Sequence, residues 1–177
     1  MIYLFLFSYN VNMCLSPATV SYSPQDVNGD GVYDFYPGDK NMVEFSMGFN
    51  LVKGLNSYFS VGSEGFEARR DTQYVQINAV YVETGLEGFF SLKSVSPYVH
   101  AGPVVYSIDF YSSCPFKWER LWKVGVSAGT GIRFILKPVG LTFFVKYHFL
   151  RYSLRMPDVW KIKMYGLITG AGVNIIF

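Results

Sequence analysis

Apolar and polar residues alternate with a period of two along most of the chain, and a helical period is sustained nowhere. From Trp122 to Leu136, Trp122, Val124, Val126, Ala128, Thr130, Ile132, Phe134 and Leu136 share one face, and Lys123, Gly125, Ser127, Gly129, Gly131 and Arg133 the other. After the turn at Lys137-Pro138, Leu141, Phe143, Val145, Tyr147 and Phe149 oppose Thr142, Phe144, Lys146 and His148. Near the end, Leu167, Ala171, Val173, Ile175 and Phe177 oppose Gly166, Gly170, Gly172 and Asn174. Earlier, Val43, Phe45, Met47, Phe49 and Leu51 oppose Glu44, Ser46, Gly48 and Asn50; Val80, Val82, Leu86 and Phe90 oppose Tyr81, Glu83, Gly85 and Glu87. Side chains that change environment at every step define strands, so the chain is predicted to be all-β.

The connections sort into two kinds. Short turns fall at Lys53-Gly54-Leu55, at Leu92-Lys93-Ser94-Val95 and at Lys137-Pro138; longer polar connections fall at 24–41, 67–73, 111–117 and 153–160. The two kinds alternate, which predicts eight antiparallel strands over about 10–23, 42–52, 55–66, 74–91, 97–110, 118–136, 139–152 and 161–177. Several exceed the ~5–6 residues usual in soluble sheets and meet the ~9–11 that cross a bilayer as tilted strands. An even number of strands, with short turns at one end and long loops at the other, predicts an eight-stranded up-and-down transmembrane β-barrel. On this reading residues 1–177 are one barrel domain, 24–41 is a long first extracellular loop and both termini are periplasmic. Residues 1–18, with apolar Ile2 to Phe7 before Ser16-Pro17-Ala18, read either as a degenerate or truncated export signal or as part of a first strand.

Composition sharpens this picture. Of 177 residues, 50% are hydrophobic, 19% aromatic and only 16% charged, a charge content well below the ~25% of soluble domains that also excludes disorder. Yet no run approaches the roughly 18 apolar residues of a spanning helix. A net charge of +2 without a basic block excludes a nucleic-acid footprint. Cys14 and Cys114 have no metal-ligand spacing.

Charge placement fits a barrel. Glu44, Glu64, Glu83, Glu87, Lys123, Arg133, Lys146 and His148 fall opposite the aliphatic row, and a lipid-facing Lys or Arg at the midplane costs about 2–4 kcal/mol. These residues are therefore expected inside, as a polar pore or gate or as a salt-bridged plug. The plug suits an eight-stranded interior, which is only wide enough for side chains. Trp118, Trp122 and Trp160, with Phe110, Tyr111 and Phe116, lie at the long-loop ends, and Phe90, Phe134 and Phe177 at the other, as two interfacial girdles would.

The final segment Gly170-Ala171-Gly172-Val173-Asn174-Ile175-Ile176-Phe177 resembles the last strand of bacterial outer-membrane barrels, in which alternating apolar residues and a terminal Phe are read by the assembly machinery; Val173, Ile175 and Phe177 match it. Ser96-Pro97-Tyr98-Val99-His100-Ala101-Gly102 is similar to a strand start of the OmpA/OmpX/OmpW-like superfamily, with His100 in place of a small inward residue. Gly125 to Gly131, followed by Phe144-Val145-Lys146-Tyr147, is similar to that superfamily's next hairpin. The resemblance spans about 42–177 and implies a small barrel of the bacterial outer membrane, with outer-membrane lipid and the barrel-assembly machinery as partners. It supplies no substrate.

One motif has metal logic. Asp26, Asn28, Asp30 and Asp34 place oxygens at positions 1, 3, 5 and 9 of a calcium loop, with Gly31 at the sharp turn. Pro37 stands where the bidentate Glu belongs, so the alternative is a Gly/Asp surface turn, favoured by these residues for backbone reasons. Otherwise no cofactor is expected. Loop protection from protease that rises with millimolar calcium would support the metal. Some eight-stranded barrels modify lipid A, but His148 and Ser153 lack the spacing of a deacylase pair. A soluble lipocalin-like carrier would turn the apolar face inward. The sequence thus predicts a non-enzymatic, monomeric outer-membrane barrel with a mostly closed polar interior, exposing loops for surface interaction or serving envelope integrity; the alternative is a narrow channel for small or hydrophobic solutes.

Overall fold

The computed structural model describes residues 11–22, 40–70, 73–113, 116–136, 138–150 and 164–176. They form β1 (Val11–Tyr22), β2 (Lys40–Val52), β3 (Leu55–Arg70), β4 (Gln73–Phe89), β5 (Val95–Ser113), β6 (Phe116–Leu136), β7 (Val139–Leu150) and β8 (Met164–Ile176). Each strand pairs antiparallel with its sequence neighbours, and β8 pairs with β1 to close the barrel. Closure removes both sheet edges, so the backbone polar groups are satisfied between strands and the wall can face hydrocarbon.

The register sets the barrel's geometry. Opposed residues run from Val11 through Phe49, Ser57, Leu86, Ala101, Ala128, Tyr147 and Leu167 and return to β1 at Ser21, ten residues above the start. That stagger in eight strands corresponds to a tilt of about 40°, so each residue climbs roughly 2.5 Å along the barrel axis.

Two of the predicted long connections are corrected. β3 and β4 stay paired to Arg70–Gln73, and β5 and β6 to Ser113–Phe116, so only two residues part each pair of strands. The polar stretches at 67–70 and 111–113 thus belong to strands that have risen clear of an apolar belt, not to irregular backbone. Likewise Lys40 and Asn41 begin β2 rather than ending the first long loop. The rest of that loop and the connection at 153–160 lie outside the described residues. Because the described strands β1, β2, β7 and β8 have 12 or 13 residues and β3 to β6 have 16 to 21, the upper ends of β3 to β6 reach roughly 15 Å beyond the last described residues of the other four strands.

The opposite end is tied by tight turns. Gly54 takes φ 85° and Lys93 φ 53°, the left-handed region that tight hairpins require. Proline interrupts the wall twice, since it has no N–H to donate. The β1–β8 ladder skips Ser16 and Pro17, and the β4–β5 ladder skips Thr84–Gly85 opposite Gly102–Pro103. At the second gap the backbones touch: a Cβ on Gly102 would lie 1.9 Å from the Thr84 carbonyl oxygen, and one on Gly85 2.3 Å from that of Ala101. Gly102→Ala is expected to destabilise the barrel by about 1–3 kcal/mol through this overpacking. Gly88→Ala, whose Cβ would meet nothing nearer than Val99 Cγ2 at 3.9 Å, should be near neutral in the same urea unfolding series in lipid vesicles.

Candidate functional site in the barrel interior

The wall has two unlike faces. Leu15, Val43, Val82, Val99, Val126, Phe143, Val145 and Val173 are exposed on the outside. Outward Thr84 and Thr130 turn their hydroxyls onto the neighbouring strand, donating to the carbonyls of Tyr58 (3.1 Å) and Tyr98 (2.9 Å), so neither leaves an unpaired donor in an apolar setting. At the upper edge the outward residues become polar: Asn41, Ser63, Asn78, Ser107, and Asp109 held to Arg120 at 2.6 and 3.0 Å. From Asn41 down to Leu51 on β2 the belt is ten residues deep, about 25 Å of tilted strand, the apolar height of outer-membrane barrels.

At mid-height the interior is filled by a charge cluster. Lys146 of β7 donates to Glu44 of β2 and, at 2.8 Å, to Glu83 of β4. Tyr81 donates to Glu44; Tyr58 (2.5 Å) and Ser60 (3.1 Å) donate to Glu83. His148 Nε2 and His100 Nε2 approach Glu83 at 3.6 and 3.7 Å. His148 Nδ1 is hydrogen-bonded to Tyr106 and lies 3.8 Å from Glu64. Two carboxylates around one ammonium carry an excess negative charge, and the phenol and hydroxyl donors offset their desolvation.

A second pair closes the level below. Arg133 grips Glu87 with both terminal nitrogens, at 3.1 and 2.9 Å, while Asn56 donates to the same carboxylate at 2.8 Å. The Arg133 guanidinium lies over the Tyr98 ring, 4.6 Å from its centre. Between the two levels is a cavity of about 50 Å³ lined by Cys14, Ser16, Tyr98, His100, Arg133 and Lys146 among others, enough for roughly three to five waters.

Rings and glycines build these levels together. Gly62 faces Tyr81, Gly129 faces His100, Gly131 faces Tyr98 and Gly170 faces Phe144 as direct cross-strand pairs. A Cβ at any of the four glycines would come within 2.5–2.6 Å of the facing ring. The glycine-rich inner face thus gives each large ring a seat against the wall.

Above the charges the interior turns apolar. Val20, Ile77, Val104, Ile108, Phe110, Leu150 and Ile168 are fully or almost fully buried and pack as one cluster, with Leu121 against it. This corrects the placement of Phe110 in the upper girdle: its register puts it inside, at 0% exposure, whereas Trp118 and Trp122 are exposed on the outer face. Trp160 lies outside the described residues.

Of the residues the sequence places inside, Glu44, Glu64, Glu83, Glu87, Lys146 and His148 are buried, Arg133 is nearly so, and Lys123 is half-buried toward the upper rim. The sequence reading did not draw Tyr58, Tyr98 and Tyr106 into this cluster, although each shares the inward parity of its strand. Val173 and Ile175 face outward. Phe177, Asp26, Asn28, Asp30, Asp34 and Ser153 lie outside the described residues. Among the described residues no group of three or more His, Cys, Asp or Glu side chains is arranged to hold a metal ion.

A closed eight-stranded barrel with an apolar outer belt and an ion-paired interior is the fold of small transmembrane barrels of the outer membrane. Three solved structures of that kind illustrate the likeness. Neisserial surface protein A has a TM-score of 0.60 at 14% identity, over 96% of this chain and 97% of that one. The N-terminal β-barrel domain of Pseudomonas aeruginosa OprF has 0.54 at 13%, over 96% and 100%. Ail, the attachment invasion locus protein of Yersinia pestis, solved with the heparin analogue sucrose octasulfate, has 0.52 at 15%, over 96% and 97%. No family model and no curated protein sequence matches the chain.

Proposed function

We propose that the chain is a non-enzymatic, monomeric barrel of the bacterial outer membrane, sealed to solutes, that presents its projecting hairpins for surface interaction. The observation that carries this reading is the filled interior. The Lys146 cluster occupies the middle of the lumen, and the Ile77–Ile108–Phe110 layer packs above it. The 50 Å³ cavity lies beneath that cluster. The short turns and both termini face the periplasm, the β3–β4 and β5–β6 hairpins face outward, and the apolar wall engages outer-membrane lipid after delivery by the assembly machinery. The similar structures fit this reading; one of them, Ail, is the attachment invasion locus protein of Yersinia pestis. His148 is engaged by Tyr106 and faces Glu64 and Glu83, which supports a structural rather than a nucleophile-activating role.

Purified, refolded protein in planar bilayers is expected to show no steady conductance, and cell fractionation should place heat-modifiable protein in the outer membrane. A steady ohmic current would establish the narrow-channel alternative instead. Recovery in the soluble periplasmic fraction would overturn the membrane reading.

A further inference from the structure

We propose that the short-turn mouth of the barrel is a binding site for a phosphate group. The mouth is a cleft of about 390 Å³ whose described lining includes Lys53, Lys93, Arg133, Asn12, Asn50 and Asn56 and, among the described residues, no Asp or Glu. Two lysine ammonium groups, the Arg133 guanidinium with its Glu87 partner, and three carboxamides, of which Asn56 donates to Glu87, thus surround one concavity. A concave, low-dielectric surface lined by one sign of charge concentrates its field on the space it encloses.

The three cations stand on different elements that the backbone ties together. Lys53 lies in the β2–β3 turn, whose Gly54 carbonyl accepts from Phe89 N–H at 2.9 Å, at the end of β4. Lys93 lies in the β4–β5 turn, where Leu92 and Val95 exchange bonds of 2.7 and 2.9 Å. The next residue, Ser94, accepts from Ile135 N–H at 2.8 Å, two positions along β6 from Arg133. The charged rim is therefore held in place by three hairpin ends bonded to one another, which limits the ordering cost of binding.

Two further observations point to a ligand. Lys93 holds φ 53°, where glycine or asparagine is at ease and a lysine is strained; the turn keeps the charge at that cost. Arg133 borders both this cleft and the inner cavity. Its terminal nitrogens are taken by Glu87, but its buried Nε has no partner. Among the described residues neither Lys53 nor Lys93 is paired with a carboxylate. A tetrahedral oxyanion accepts hydrogen bonds from several directions, so it can be shared by two ammonium groups and nearby amide donors. The site requires only the fold, and not the orientation or role proposed above.

The test is titration of the whole chain, refolded in zwitterionic micelles at low ionic strength, with inorganic pyrophosphate in a calorimeter. One saturable site is expected. The Lys53→Gln/Lys93→Asn pair should bind at least tenfold more weakly while keeping heat-modifiable gel mobility; asparagine is chosen because it tolerates the left-handed turn position. Lys53→Gln alone, on an exposed turn side chain, should weaken binding at least threefold and serves if the pair does not fold. Absence of a saturable site, or smaller losses in folded variants, would overturn the proposal. Repeating the titration in nanodiscs separates the sources of the phosphate. If phosphatidylglycerol, but not phosphatidylcholine, abolishes pyrophosphate binding, a lipid headgroup occupies the mouth; if both leave it intact, a soluble phosphate compound does.

Discussion

Replacing Lys146 with methionine is expected to destabilise the barrel by about 3–5 kcal/mol, the cost of leaving buried charge without its partner. Lys146 Nζ is the cation shared by Glu44 and Glu83, and its side chain is only 2% exposed. Removing it leaves two buried carboxylates facing each other, with phenol and hydroxyl donors but no opposing ammonium. Urea unfolding in small lipid vesicles, followed by gel mobility, gives the measurement. The triple variant Glu44→Gln/Glu83→Gln/Lys146→Met should recover most of the loss, because neither position then leaves a carboxylate without its cation. A Lys146→Met protein as stable as the parent would show that the cluster is hydrated and that the lumen is open at its middle.

Val145→Arg carries the second large effect. Val145 is opposed by Thr130 and Thr169 about halfway up the wall, and it points outward. If lipid surrounds that position, the substitution costs about 2–4 kcal/mol; Val139→Arg, beside the tight turn at Pro138, costs about 0–1 kcal/mol because its guanidinium reaches the interface. The contrast between the two positions is the informative quantity, read in the same unfolding assay. Equal, small costs would mean that water bathes the wall, as around a soluble carrier.

Much of the interior was legible because a period of two is independent of register. Once Val43 and Phe45 face lipid, Glu44 must face inward, and the same logic carries Glu83, Lys146 and Arg133. Which of these meet was not legible, since it depends on how far each strand slides past the next. Only the ten-residue stagger brings Lys146 of β7 across to Glu44 and Glu83, and only the pairing of Gly62 with Tyr81 and Gly131 with Tyr98 shows why the inner face needs so many glycines. Phe110 was placed in the upper girdle for a different reason. Polar was equated with inside, which holds while the outer face meets lipid. Above the belt the outer face meets water, so the sense of the alternation inverts: Asp109 and Arg120 stand outside and Ile77, Ile108 and Phe110 inside. The same inversion made the strand ends at 67–70 and 111–113 resemble loops.

The gap in the ladder at Ser16 and Pro17 falls on the one junction that joins the two ends of the chain, where Asn12 lies opposite Ile176 and Tyr22 opposite Gly166. Every other junction forms between sequence neighbours, whereas this one must recruit partners almost a whole chain length apart and bears the largest loop-closure entropy. It also has fewer rungs than an unbroken pairing of the same length. Assembly should therefore proceed as a growing curved sheet whose final hem is β1 against β8, and unfolding should begin by unzipping that hem, next to Pro17.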